Sequence, residues 1–224
     1  MVEFSLFNGE IMKKITLILF VIMMSGLVLA HQPRVGLEGT IDNPIQVEKP
    51  EISKAYYGAL EGSPEYYEIN YDKDFLLYLN ILAPDIEGAK TDFIVEVLKN
   101  DEVIFTLDDN NWGEFYEPFG GDNYLMGPEL EEQVNAGTYL IKVSNPDNLG
   151  KYSLAVGKIE SFPHTEILKT IIALPKIKKD FFNKSPLTAY FNLLGLFLLI
   201  LLIILLGLIL LIRYLFIKYK RKKK

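Results

Sequence analysis

Between Leu107 and Glu132 the chain reads LDDNNWGEFYEPFGGDNYLMGPELEE and gathers two kinds of chemically capable side chain. The first kind is oxygen donors. Calcium takes six to eight oxygens, and an EF-hand loop needs an acid or amide at its first, third and fifth positions and a closing Glu. Starting that loop at Asp108 puts Trp112 at the fifth position, where an oxygen belongs, and Phe119 where the Glu belongs, so the stretch is not an EF-hand. An irregular calcium site drawn from Asp108, Asp109, Asn111 and Asp122 is the metal alternative to a chain with no cofactor. The second kind is aromatic. Trp112, the single tryptophan, is followed by Tyr116, Phe119 and Tyr124. Aromatic anchors dominate binding hot spots, so these four are the candidate partner-binding residues. The competing reading tucks them under a sheet edge and leaves the acids in water.

Other chemistries are thinly supplied. There is no cysteine, hence no disulfide framework, thiolate metal site or cysteine nucleophile. The two histidines, His31 and His164, fall outside the strand patterns, so a Ser–His–Asp triad has no placed base. No G-x-S-x-G elbow, H-E-x-x-H or phosphate loop occurs. A pair of carboxylates, as in glycoside hydrolysis, is the one enzymatic arrangement the composition leaves open. The expectation is a protein that is not an enzyme.

The elements that must position these residues read as short strands. PEYYEINY places Tyr67, Ile69 and Tyr71 on one side; FLLYLNIL does so with Phe75, Leu77, Leu79 and Ile81. DFIVEVLK and EVIFTL flank a turn at Asn100-Asp101, and VGLEGTI and KAYYGAL are weaker candidates upstream. In NAGTYLIKVSNPDNLGKYSLAVG, from Asn135 to Gly157, Tyr139, Ile141 and Val143 share a face, as do Tyr152, Leu154 and Val156. That is the period-2 signature of a half-buried β-hairpin. About eight strands separated by turn residues predict an all-β fold, an antiparallel β-sandwich or jelly-roll-like domain over residues 31–160. In this picture residues 107–132 form a long loop, and long loops on a rigid scaffold tend to carry function.

The order of these segments, AYYGALEG-SPEYYEINY, DFLLYLNIL, FIVEVLKNDEVIF, AGTYLIKV and GKYSLAV, resembles the pre-peptidase C-terminal family of bacteria and archaea. The resemblance covers roughly Tyr56 to Val156 and rests on alternation, a Tyr and a turn Gly in the closing G-x-Y strands. It implies a small β-sandwich of the kind that accompanies secreted proteases and surface proteins as a binding or accessory module, some members binding calcium. This chain departs from the family in having no protease domain and in the length of residues 107–132.

Both ends carry membrane signals. MKKITLILFVIMMSGLVLA, from Met12 to Ala30, has a basic start, a short apolar run, and Val28 and Ala30 as small residues before a cleavage point, so residues 1–30 read as a signal peptide. An uncleaved anchor is the alternative; residues 1–11 read as a gene-model extension ahead of Met12. Near the other end, Leu193 to Ile212 is an uncharged apolar run. At 1.5 Å rise per residue it reaches roughly 30 Å, the thickness of a bilayer core. Residues 188–213 are the predicted span and 214–224 a tail whose basic residues place it in the cytoplasm by the positive-inside rule.

The net charge of −6 hides an asymmetry: 27 acidic residues against 14 basic ones lie between His31 and Asn192. An acidic exterior excludes nucleic acid, whose phosphates need a basic face. Residues 161–187 carry apolar residues and lysines in two helical patterns, the second opened by Pro175, and read as amphipathic helices lying on the outer membrane surface. The resulting expectation is a non-enzymatic, single-pass surface or envelope protein of the cell membrane. Its sandwich would serve a protein, glycan or membrane-complex partner. A cargo receptor of the early secretory pathway type and a carboxylate-based hydrolase are the alternatives.

Overall fold

The computed structural model describes residues 31–222 apart from 110 and 162. The predicted signal peptide lies outside the described residues. Eleven strands follow in order: β1 (Gln32–Val35), β2 (Ile45–Gln46), β3 (Lys54–Glu61), β4 (Glu65–Tyr71), β5 (Phe75–Pro84), β6 (Ile94–Lys99), β7 (Glu102–Leu107), β8 (Gly113–Glu117), β9 (Asp122–Val134), β10 (Gly137–Ser144) and β11 (Leu149–Val156). They form a six-stranded sheet, β1-β3-β11-β5-β9-β8, and a five-stranded sheet, β2-β4-β10-β6-β7. The apolar faces of both meet in one core, where Leu79 and Ile81 of β5 and Leu154 of β11 share a cluster with Ile69 of β4, Val97 of β6 and Ile141 of β10. The fold is a β-sandwich.

Three sequence expectations about the strands need correction. The sheets are mixed rather than antiparallel, because β1 runs parallel to β3 and β2 parallel to β4. The Asn135–Gly157 segment is not a hairpin. β10 lies between β4 and β6 in one sheet, and β11 between β3 and β5 in the other. Their apolar faces oppose each other across the core instead of lying side by side, and period-2 alternation reads the same in both cases. Asn145 holds the crossing turn: its side-chain amide donates to Leu149 O at 2.9 Å, and its Oδ1 accepts the Leu149 N–H at 3.0 Å. Third, VGLEGTI is not a strand past Val35, since Gly36 turns the chain away with φ +68. A true hairpin does join β6 to β7, where Asn100 and Asp101 both take positive φ (52 and 64), as a type I′ turn requires.

After β11 come α1 (His164–Lys176), a π-helical turn (Ile177–Phe181), a 3-10 turn (Pro186–Tyr190) and α2 (Leu193–Lys222). Pro175 does not open a second helix; it sits in the last turn of α1. Ala173, Ile177, Phe181 and Phe182 bury themselves with Tyr57, Leu82, Tyr124 and Ala155 on the outer face of the six-stranded sheet. Arg34 of β1 reaches Glu166 of α1 at 2.8 Å. Among the described residues α2 is the one helix long and apolar enough to cross a membrane.

Candidate functional site

Residues 107–132 are not a loop. They hold β8 and most of β9, a hairpin that extends the six-stranded sheet. β9 pairs with β5 across a bulge, since Asn80 stands opposite Glu129 but Leu82 opposite Met126, leaving one extra residue in β9. The buried Asn80 amide donates to the carbonyls of Gly127 and Pro128 at 3.0 and 3.1 Å. Gly127 is glycine because Trp112 lies on it: a Cβ there would stand 2.7 Å from the indole.

The four aromatic candidates part company. Trp112 is half-buried against the core, 6.3 Å from the Phe93 ring, with its Nε1 buried and without a hydrogen-bond partner. Tyr124 is buried, and its hydroxyl meets that of Tyr57 at 2.8 Å. Burial raises its pKa well above the ordinary tyrosine range. Phe119 packs with Ile171, Leu174, Ala189, Leu194 and Leu198, at the root of α2. Tyr116 alone is freely exposed, at 59%.

The calcium candidates do not converge. Gly113 pairs with Met126 and Glu117 with Asp122, so Asp108 and Asp109 lie beyond one end of β8 and Asp122 at the other. Four residue steps of strand separate those ends by roughly 13 Å. Asp109 accepts the Asn111 N–H at 2.9 Å. Asp122 is engaged by lysines: its Oδ2 takes Lys178 Nζ at 2.5 Å and its Oδ1 takes Lys184 Nζ at 2.9 Å. The Asp122 and Lys178 side chains are 4% and 2% exposed. Lys178 also donates to Gly120 O at 2.6 Å, and Asn192 Nδ2 donates to the same oxygen at 2.7 Å. The neighbouring Glu117 caps the turn by accepting the N–H groups of Phe119 and Gly120. Burial raises its pKa, against the opposing pull of those hydrogen bonds. The hairpin tip is thus a socket that holds the segment leading to α2.

A second feature had no sequence signal. β1 covers β3 only as far as Tyr57, so the edge from Gly58 to Glu61 has no strand partner on that side among the described residues. Beside it lies a cleft of about 440 Å³, lined by residues 35–40, Ala59, Glu65, Lys151, Lys176 and Phe181 among others. Glu65 is buried; its carboxylate accepts from Tyr152 Oη and, at 3.3 Å, from the Gly39 N–H. Tyr152 Oη in turn lies 2.8 Å from Tyr67 Oη. Burial raises the Glu65 pKa, and the Tyr152 bond opposes the rise. A Cβ at Gly58 would stand 2.6 Å from Glu65 Oε2, so this carboxylate can sit over β3 only because residue 58 is glycine. A raised carboxyl in a cleft has the properties of a proton donor, but here both oxygens hold structure together. An uncovered strand edge beside a cleft can instead hydrogen-bond an extended chain. Sequence reasoning missed this cleft because its walls come from segments far apart in the chain.

No protein-family model matches the chain, and no curated protein matches it. Among solved structures it is similar to the pre-peptidase C-terminal domain of a collagenase from Bacillus anthracis, at 12% identity and TM-score 0.34, over 55% of this chain and 97% of that one. It is also similar to part of a β-glucosidase from Paenibacillus barengoltzii, at 12% identity and TM-score 0.27, over 57% of this chain and 13% of that one.

Proposed function

We propose that the chain is a non-enzymatic, single-pass surface or envelope protein of the cell membrane, with its sandwich outside and its basic tail in the cytoplasm. The sandwich serves as a binding or accessory module for a protein, glycan or membrane-complex partner. The observation that carries this reading is the pairing of two features on one compact unit, His31–Lys224. A strand edge with no partner among the described residues lies beside a cleft at β3, and a buried ionic socket at Asp122 fastens the sandwich to the root of an apolar helix. The cleft supplies main-chain donors and acceptors, the mode by which an extended segment adds to a sheet edge. Tyr116, the exposed one of the four aromatic candidates, lies on β8 at the opposite edge of the same sheet and would be a separate contact.

The test is site-specific photocrosslinking in cells. A photoreactive residue at Ala59, exposed in the cleft, should give a discrete adduct. The same residue at Lys73, on the β4–β5 turn, should give none. Absence of an adduct at both Ala59 and Tyr116 would contradict the binding reading.

A further inference from the structure

We propose that the outward flank of α1 and the adjoining 3-10 turn seat in the phospholipid interface, so that the sandwich lies against the membrane instead of standing off on a stalk. The proposal rests on the reading that α2 spans a bilayer.

α1 uses one side to bury Ala173 and Leu174. Its opposite side presents Leu168 and Ile172, one turn apart and 62% and 76% exposed. The chain then presents Leu187 at 73% and Phe191 at 85%. The Tyr190 hydroxyl donates to Ile171 O at 3.3 Å, tying the 3-10 turn to α1. Four large apolar side chains in water at the base of a sandwich call for a cover.

The identity of the cover follows from what touches α2. Leu194 is buried and Leu198 packed in the same cluster as Phe119, Ile171, Leu174 and Ala189. Leu198 lies five steps into the helix, roughly 7 Å below its start at 1.5 Å per residue. If the run beginning at Leu193 is the hydrocarbon-spanning part, the partners of Leu194 and Leu198 lie at the depth of the interface. The hairpin tip and α1 are held at that depth by the Asp122 socket. Lys169, Lys176 and Lys184 lie in the same segment with side chains 63%, 54% and 42% exposed. Each has an acidic partner, Glu166, Asp180 and Asp122 in turn, and an ammonium group keeps further N–H donors beyond one such contact. An apolar face edged with lysines is the pattern of an interfacial helix, its cations meeting lipid phosphates.

The chain has no cysteine, so single-cysteine variants report one position each. Leu168→Cys, Ile172→Cys and Phe191→Cys, labelled with an environment-sensitive fluorophore, are compared with Leu202→Cys in mid-span and Lys73→Cys on the β4–β5 turn. The full chain is placed in vesicles of phosphatidylcholine with a minority of phosphatidylglycerol. Spin-labelled lipids quench at shallow or deep positions and iodide quenches from water. The expected result is shallow lipid quenching at Leu168, Ile172 and Phe191, with several-fold less iodide quenching than at Lys73, and deep quenching at Leu202. Iodide access at the three flank positions equal to that at Lys73, with Leu202 still quenched, would overturn the seating and leave the span intact. Shielding from iodide without lipid quenching would also overturn it, since a protein or a second copy would then be the cover. Loss of quenching at Leu202 would remove the spanning premise and the proposal with it.

Discussion

Asp122 shows how much one side chain can decide. Its carboxylate is buried between two ammonium groups from residues far along the chain. Removing one partner of a buried pair strands the other charge and costs about 3–5 kcal/mol. Asp122→Asn should therefore lower stability by about that amount in chemical denaturation, whereas Lys184→Met, which removes the 42%-exposed partner, should cost about 1 kcal/mol or less. The sequence offered Asp122 as one oxygen donor of an irregular calcium site, and in the structure that carboxylate is taken by two lysines. It gave no means of knowing that the ammonium groups of Lys178 and Lys184 would meet it there. Glu65 supplies a second residue-level prediction. Its folded pKa is raised above the ordinary 4.5 by burial, so the folded state holds the proton more tightly than the unfolded one. Its stabilising contribution is complete below 4.5 and is lost as pH rises through the raised value. Denaturation midpoints measured from neutral pH down towards 4.5 should show wild type gaining on Glu65→Gln, which mimics the protonated form. A constant gap would contradict this.

At the level of elements, alternation identified β3 to β7, β10 and β11 within a residue or two, because each has one face in the core. It could not identify partners: a hairpin and a crossing between sheets present the same pattern. Ile141 and Leu154 are both 0% exposed, so their replacement by Ala should each cost about 2–5 kcal/mol in the intact chain. A loss below about 0.5 kcal/mol would place them at the surface. β9 was hidden for a physical reason. Gly127-Pro128 reads as a break, and the acids from Glu129 to Glu132 disguise a strand whose outer positions face water. The bulge held by Asn80 is what lets β9 run through that break. Trp112 and Tyr116 then separate cleanly. Trp112→Ala should lower stability by about 3 kcal/mol, near the lower end for an aromatic packed on a core. Tyr116→Ala should change it by less than about 0.5 kcal/mol. Equal losses for the two would contradict their placement.

For the whole molecule, composition separated an acidic region from an apolar run and a basic end, and the structure places one long apolar helix after the sandwich. The fastening between them was not legible. It depends on Phe119, Gly120, Asp122, Lys178 and Asn192, whose meeting is a property of the fold and of no local pattern. The central claim is that the sandwich faces outward on a single span whose tail faces inward. Cysteine accessibility tests it most directly, because the chain has no cysteine of its own. Lys73→Cys and Lys220→Cys are expressed in intact cells and treated with a membrane-impermeant maleimide. The account predicts labelling at position 73 without permeabilisation and at position 220 only after it; labelling at 220 in intact cells, or protection of 73, would contradict it.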